Sequence, residues 1–199
     1  SRVELVGWYD GSWAINGRED YTEDVVDAYE TFVDIKDAYI QGSLTDQLDL
    51  KFGRQIVIWG KSDSIRVTDI INPLDNREPG MVDIEDLRLN ELMTRLDYYV
   101  GNWGLSAMVI HEPRQEIEAP FGSDYRPSNI FGSPIPYSKF PDRQDLDWNA
   151  ENTQYALSLD GRFSGWDLSL YAADVFDNRF DVETINGVPE RYNDKVGML

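Results

Sequence analysis

Apolar and polar residues alternate with a period of two along most of the chain. The stretch "QYALSLDGRFSGWDLSLYAA", residues 154–173, shows this on both sides of a short turn. Its apolar set is Tyr155, Leu157, Leu159, Trp166, Leu168 and Leu170, and its polar set includes Ser158, Asp160, Asp167 and Ser169. Because side chains of a strand point alternately to opposite faces, the pattern predicts an antiparallel hairpin with one apolar and one polar face.

The same alternation predicts seven strands and the start of an eighth. They cover residues 3–15, 29–41, 48–59, 90–100, 103–111, 152–161 and 166–176, and the eighth begins near Arg191. No segment shows a long helical period, although the stretch "MVDIEDLRLNEL", residues 81–92, could form a short helix. Aromatic residues make up 13% of the chain, which favours strands over helices.

Short and long connections alternate between these strands. The short ones are "GSLTDQ", "GN" and "RFSG", and the long ones cover residues 16–28, 60–89, 112–151 and 177–190. Bacterial outer-membrane barrels have short periplasmic turns and long extracellular loops, so the alternation favours an up-and-down transmembrane barrel. Residues 112–151 hold six of the nine prolines, which block strand ladders and indicate an extracellular loop. The alternative for this segment is a disordered linker between two domains.

Ionisable side chains within the predicted strands keep to one face. In "LMTRLDYY", Arg95 and Asp97 lie opposite Leu92 and Leu96, as expected for a wet lumen and an apolar exterior. Four aromatic residues beside the short turns are expected to form a girdle at the periplasmic interface, or else to pack beneath an ordinary sheet. These are Tyr98, Trp103, Phe163 and Trp166.

Arg54 breaks the pattern, because it follows Leu50 and Phe52 on the apolar face. An arginine at the bilayer midplane costs about 2–4 kcal/mol. Two explanations remain open: Gly53 marks a bulge that resets the register, or Arg54 lies near enough to the interface for its charge to reach water.

Composition narrows the class of partner. The chain has 199 residues, with 37 acidic against 18 basic residues and a net charge of −19. Nucleic-acid binding needs a basic surface, so a nucleic-acid partner is not expected. Cysteine is absent, which excludes disulfides and thiolate metal sites. No apolar run reaches the roughly 18 residues of a membrane-spanning helix.

Two stretches carry a family resemblance: "FGRQIVIWGKSDSIRVTDIINPLD" and "LRLNELMTRLDYYVGNWGLSAMVIHEPR". Their order and spacing resemble the bacterial outer-membrane family DUF1302 and its porin-like relatives, over roughly residues 30–176. The matching residues are Gly53, Arg54, Gln55, Trp59, Gly60, Asn72, Pro73, Asp75, Tyr98, Tyr99, Gly101, Asn102 and Trp103.

The resemblance implies a large β-barrel in the outer membrane of a Gram-negative bacterium, with hydrophobic or lipid-like cargo suggested for the family. Family members are longer, and the last residues, "KVGML", lack the usual terminal aromatic. We therefore expect residues 1–199 to form a single barrel domain that is the N-terminal part of a larger barrel. A closed eight-stranded barrel is the alternative.

A barrel of this kind predicts a polar lumen and a constriction. The lumen-lining or selectivity residues are expected to be Lys51, Gln55, Trp59, Arg95, Asp97, Asp167 and Ser169. Residues 60–89 either fold into the lumen or stay outside as a solvated loop. In the first case the constriction residues are Asp63, Arg66, Asp69, Asp75 and Arg77.

Little in the chain indicates catalysis. His111 is the single histidine and has no visible partner, and no hydrolase, metalloprotease or phosphate-loop motif occurs. No cofactor is expected, although the acidic runs "GREDYTED" and "DRQDLD" could bind Ca²⁺.

The sequence thus favours a non-enzymatic outer-membrane porin or passive transporter for small or hydrophobic solutes. Its expected partners are membrane lipid, lipopolysaccharide and an unidentified solute. The competing hypothesis is a soluble secreted β-sandwich or lectin-like module, which would hide the apolar face between two sheets.

Overall fold

Eight antiparallel strands form one continuous sheet in the computed structural model. The structure describes residues 1–15, 17–60, 68–83, 86–126, 129–130, 133–134, 146–177, 181–185 and 188–199. The strands in chain order are β1 Arg2–Tyr9, β2 Thr31–Thr45, β3 Leu48–Gln55, β4 Asp75–Asn76, β5 Glu91–Val100, β6 Trp103–Ile110, β7 Ile117–Glu118, β8 Asn129–Ile130, β9 Ser133–Pro134, β10 Gln154–Phe163, β11 Trp166–Phe176, β12 Asp181–Ile185, β13 Val188–Tyr192 and β14 Lys195–Met198.

The large sheet has the order β1-β2-β3-β5-β6-β10-β11-β14. Its edge strands β1 and β14 are not paired with each other, so the sheet is open within the described residues. Three small sheets lie in the long connections: the antiparallel pairs β8–β9 and β12–β13, and the parallel pair β4–β7. The β4–β7 pair joins the connection after β3 to the connection after β6.

The seven predicted strands are confirmed, and so is the all-β antiparallel class. Two strands end earlier than expected, β1 at Tyr9 and β3 at Gln55. The eighth strand of the large sheet is β14, which begins at Lys195, four residues after the start expected near Arg191. Arg191 itself lies in the β12–β13 hairpin.

The short helix that residues 81–92 could have formed is absent from the described part of that range. The described part of that range contains turns, a bridge between Leu74 and Arg88, and the start of β5 at Glu91. The α-helix lies instead at α1, Glu23–Tyr29. Two acidic residues in its first turn, Glu23 and Asp24, favour the positive end of the helix dipole. A 3₁₀ turn, Arg18–Asp20, precedes it.

The buried apolar core lies on one face of the large sheet, near its long-connection end. Val57, Trp59 and Ile71 come from the segment after β3 and pack on side chains of the sheet. Those sheet side chains are Met93, Met108, Ile110, Ala156, Ala173 and Val175. No helix in the described part of the chain has the length and apolarity needed to cross a membrane.

Candidate functional site

The two faces of the large sheet differ sharply in chemistry. Strand register places one set of apolar side chains together on a single face, which we call the apolar face. Its exposed large side chains are Val3, Leu5, Val33, Ile35, Ile40, Leu44, Phe52, Leu96, Tyr98, Val100, Leu105, Tyr155, Leu157, Trp166, Leu168 and Leu170. They span the sheet from β1 to β11, so one broad surface of the protein is apolar and uncovered.

The opposite face, which we call the polar face, carries the charged and hydroxyl side chains of the same strands. Six of the expected lumen residues share it: Lys51, Gln55, Arg95, Asp97, Asp167 and Ser169. The register pairs Lys51 with Arg95, and pairs Asp49 with Asp97. The sheet therefore collects these side chains on one side without any change of register between them.

A compact hydrogen-bonded group lies at the centre of the polar face. Arg95 Nε donates to Asp97 Oδ1 at 2.8 Å, and the Ser106 hydroxyl donates to the same oxygen. Lys51 Nζ lies 3.7 Å from the centre of the Tyr39 ring. Ser106 and Tyr39 were not among the expected lumen residues. The alternation already placed Ser106 opposite Leu105, but only the strand order brings it next to Asp97.

Toward the short turns the polar face continues across β10 and β11. Ser169 Oγ donates to Asp160 at 2.6 Å, and the register places Arg162 beside Asp167. Both Ser169 and Asp167 are exposed. This end of the face is open to solvent, whereas the long-connection end is covered.

The cover is formed by the segment that follows β3. Trp59 is buried and stacks on Tyr171 with ring centres 4.9 Å apart. Within the described parts of residues 60–89, Ile71 lies against the polar face, because it belongs to the same core as Met93. Trp59 is therefore packed against the sheet and shielded from solvent.

Asn72 fixes this covering segment to the sheet. Its side-chain oxygen accepts from Val57 N at 2.8 Å, and its Nδ2 donates to Leu89 O at 2.9 Å and Gln55 O at 3.4 Å. Asn72 is fully buried. The chain leaves the β3 ladder after Gln55 because these backbone groups bond to Asn72, which accounts for the early end of that strand.

The described constriction candidates lie in internal ion pairs. Asp69 accepts from Arg88 at 2.7 Å, and both side chains are 4% exposed. Asp75 accepts two hydrogen bonds from Arg77 Nε, at 2.9 Å and 3.1 Å. Arg77 also donates to Ala28 O at 2.9 Å, which ties the segment to α1.

Burial distinguishes the described constriction candidates. Asp69 and Arg77 are buried, and their ion pairs hold the covering segment in place. Asp75 is partly buried and paired with Arg77. Asp63 and Arg66 lie outside the described residues.

Comparison with known proteins identifies the family. The model of the family described as "Protein of unknown function (DUF1302)" matches residues 1–191. The chain belongs to the DUF1302 family. No curated protein matches the chain, and no solved structure matches it.

In this DUF1302 chain, three of the four expected girdle residues form one aromatic cluster on the apolar face. Trp103 and Phe163 pack edge to face at 5.2 Å, and Phe163 stacks on Trp166 at 4.2 Å. The Trp103 ring lies over Gly161, where an added Cβ would come within 2.6 Å of the ring. Tyr98 lies on the same face, and its hydroxyl contacts Gln47 at 3.4 Å.

Arg54 is accounted for by pairing. The ladders on both sides of β3 run through Gly53 without a shift, so the register-resetting bulge is excluded. The Arg54 guanidinium instead pairs with Glu112 and, at 3.4 Å, with Asp34. Arg114 also pairs with Asp34, at 3.1 Å. The network lies at the long-connection end of β3.

The remaining candidate chemistry is sparse. His111 Nε2 lies 2.8 Å from the Thr94 hydroxyl, and its ring lies beside Phe52. Among the described residues, no group of three or more His, Asp or Glu side chains is arranged to hold a metal ion. The acidic run at residues 17–24, which could have bound Ca²⁺, is therefore not arranged as a metal-binding group. Most of "DRQDLD" lies outside the described residues.

Proposed function

We propose that this DUF1302 chain forms part of a β-barrel in the outer membrane of a Gram-negative bacterium. The barrel acts as a non-enzymatic porin or passive transporter for small or hydrophobic solutes. The apolar face contacts lipid, and the polar face lines the solute path.

The exposed apolar face carries this proposal. Soluble monomers seldom expose a contiguous apolar patch of more than a few hundred Å². Here apolar side chains are exposed on seven neighbouring strands, including Leu5 at 67% and Leu170 at 54%. The strands of a membrane barrel have this apolar-out, polar-in alternation because apolar side chains are stable in the hydrocarbon region and charged side chains are destabilising there.

The open edges of the sheet support a larger barrel. Unpaired backbone N–H and C=O groups are costly in hydrocarbon, so a membrane-embedded sheet must close. Since β1 and β14 do not pair with each other, we infer that each pairs with a further strand in the complete barrel.

The soluble β-sandwich is the second candidate, and the exposure pattern counts against it. A sandwich buries its apolar face beneath a second sheet at about 10 Å. In the described part of the chain, the other sheets are pairs with strands of two to five residues, and the apolar face stays exposed.

Within the proposed barrel, the covering segment after Trp59 narrows the path. Lys51, Arg95 and Asp97 lie between the part of the polar face that this segment covers and the part that is open to solvent. Fixed charges at a narrow point set ion preference more strongly than the net charge of the whole protein.

The membrane part of the proposal is tested by fractionation of the full-length protein and by its gel mobility before and after boiling in detergent. We expect recovery in the outer membrane and a heat-dependent shift, as for a stable barrel. A detergent-free soluble monomer would contradict the proposal.

The transport part is tested by conductance in planar bilayers. The double variant Lys51→Glu, Arg95→Glu should shift the reversal potential in a salt gradient toward cation preference. Lys195→Glu, an exposed change on edge strand β14, is the matched control and should leave selectivity unchanged. Channels whose selectivity is the same in all three proteins would argue against a path along the polar face.

A further inference from the structure

A cavity of about 440 Å³ lies beyond the long-connection ends of β1 and β2, against α1. Three segments of the chain build it. The connection from Trp8 to Tyr29 gives most of the wall, Glu78 comes from the segment after β4, and residues 123–125 come from the segment after β7.

Aromatic rings form the walls of this cavity. They belong to Trp8, Trp13, Tyr21, Tyr29 and Tyr125. Trp13 and Tyr21 meet edge to face at 4.9 Å, and the Tyr29 and Tyr125 rings are 6.4 Å apart. The faces of aromatic rings attract cations through their quadrupole, and several rings around one space form a cage suited to alkylated ammonium groups.

The charge of the cavity has one sign. Asp10, Glu78 and Asp124 line it, and its lining contains no Lys, Arg or His. Among the described residues, none of these three carboxylates forms an ion pair. Hydrogen bonds from Ser12 lower the pKa of Asp10, which keeps its carboxylate charged at neutral pH.

The nearby basic side chains are already neutralised. Arg77 is paired with Asp75, and Arg18 is paired with Glu30 at 3.0 Å. The Arg77 guanidinium lies 4.3 Å from the centre of the Phe32 ring and 5.5 Å from the centre of the Trp8 ring, so one wall ring already faces a paired cation. The three carboxylates are the charged side chains of the cavity lining itself.

Hydrogen bonds hold the segments together. The Tyr29 hydroxyl donates to Arg77 O at 2.8 Å, which places Glu78 beside α1. Burial raises the pKa of the Tyr29 phenol, so this donor remains protonated. The cavity is built by contacts that exist without any bound molecule.

We propose that this cavity binds an organic ammonium ion, with its alkyl groups against the aromatic rings and its charge balanced by Asp10, Glu78 and Asp124. The inference does not depend on the transport proposal, because a binding site at the loop end can exist whether or not the sheet encloses a channel. A bare metal ion is the poorer fit, since Ca²⁺ needs six to eight oxygen ligands. Among the described residues, no three or more His, Asp or Glu side chains are arranged to hold a metal ion.

The test is a calorimetric titration of the full chain in a polyoxyethylene detergent, which has no ammonium headgroup and no sugar. The probes are choline and its uncharged isostere 3,3-dimethyl-1-butanol. We expect saturable choline binding that is at least about tenfold tighter than binding of the isostere. Equal affinity for the two probes, or no choline binding at concentrations up to about 0.1 M, would overturn the proposal.

Two variants locate the site. Glu78→Gln with Asp124→Asn should weaken choline binding by about fivefold to thirtyfold, and Trp13→Leu should have an effect of similar size. Asp27→Asn, an exposed change on α1 outside the cavity, is the matched control for charge, and Trp148→Phe is the control for loss of an exposed indole. The circular dichroism spectrum of each variant, compared with that of the unchanged chain, confirms that the variant is folded. Unchanged binding in the folded cavity variants would place the choline site elsewhere and refute the assignment.

Discussion

At the scale of single residues, Gly53 shows why one position of β3 admits no side chain. Its φ is +131°, and an added Cβ would lie 2.1 Å from the carbonyl oxygen of Ala38 on the neighbouring strand. Backbone cannot move aside as a flexible side chain can. The close approach of β2 and β3 therefore depends on glycine at this position.

We predict that Gly53→Ala destabilises the fold by at least about 1–3 kcal/mol, the usual range for a strained backbone conformation. Gly42 is the matched control, because it lies on the facing strand β2 and an added Cβ meets nothing within 4 Å. The measurement is the urea concentration at which half of the folded, heat-modifiable gel band is lost, determined for both variants. Equal midpoints for Gly53→Ala and Gly42→Ala would contradict the assigned backbone conformation.

The sequence predicted the sheet face of the charged side chains better than it predicted their ion-pair partners. Alternation alone placed Lys51, Arg95 and Asp97 together on one face, because neighbouring strands in register keep the period of two. It could not show that Asp69 is buried with Arg88, since that pair joins two ends of an irregular segment. The cavity aromatics were missed for the same reason, although residues 8–29 are visibly rich in Trp and Tyr.

At the scale of elements, the segment after β3 is the distinctive part of the molecule. A regular continuation of β3 would have been held by backbone hydrogen bonds to its neighbour. This segment is held instead by the buried Asp69–Arg88 ion pair and by the hydrogen bonds of Asn72. An ion pair that is removed from water contributes little net stability, but loss of one partner leaves an uncompensated buried charge.

We predict that Arg88→Met destabilises the fold by about 3–5 kcal/mol, because the Asp69 carboxylate loses a buried ion-pair partner. The double variant Asp69→Leu, Arg88→Met should recover part of that loss, since the carboxylate of the pair is removed as well. Urea unfolding monitored by tryptophan fluorescence measures both. A double variant as unstable as Arg88→Met alone would show that the pair is not the source of the effect.

Elements with a long and regular period were predictable, and short or irregular ones were not. Seven of the eight strands of the large sheet are at least eight residues long, which gives the alternation enough length to define a period of two. Helix α1 has only seven residues and buries two, Val25 and Val26, so it shows no complete helical period. The sequence of residues 81–92 resembles an amphipathic helix. In the structure, however, Arg88 forms a bridge with Leu74, and Glu91 and Leu92 belong to the β3–β5 ladder.

At the scale of the whole molecule, a charge introduced on the apolar face distinguishes a membrane protein from a soluble one. The free-energy cost of that charge is much larger in lipid than in water. Leu157 lies on this face in the middle of β10, with 48% of its surface exposed. In water, replacing an exposed leucine by arginine changes stability by about 0.5 kcal/mol or less. In a bilayer the same change near the midplane costs about 2–4 kcal/mol.

We therefore predict that Leu157→Arg destabilises the protein in liposomes by about 2–4 kcal/mol. Met81→Arg is the control, because Met81 is 71% exposed in a connection outside the large sheet and should tolerate the change. Urea unfolding of both variants in liposomes gives the comparison. A Leu157→Arg protein as stable as Met81→Arg would mean that this face meets water.

The most direct test of the account is spin-label accessibility along β10 in liposomes. The chain has no cysteine, so single cysteines can be introduced at residues 155 to 160 without background labelling. We predict that labels at 155, 157 and 159 are accessible to oxygen and shielded from a water-soluble nickel complex, and that labels at 156, 158 and 160 do not share this lipid signature. Equal exposure of labels at 155, 157 and 159 to the nickel complex would contradict a lipid-facing sheet.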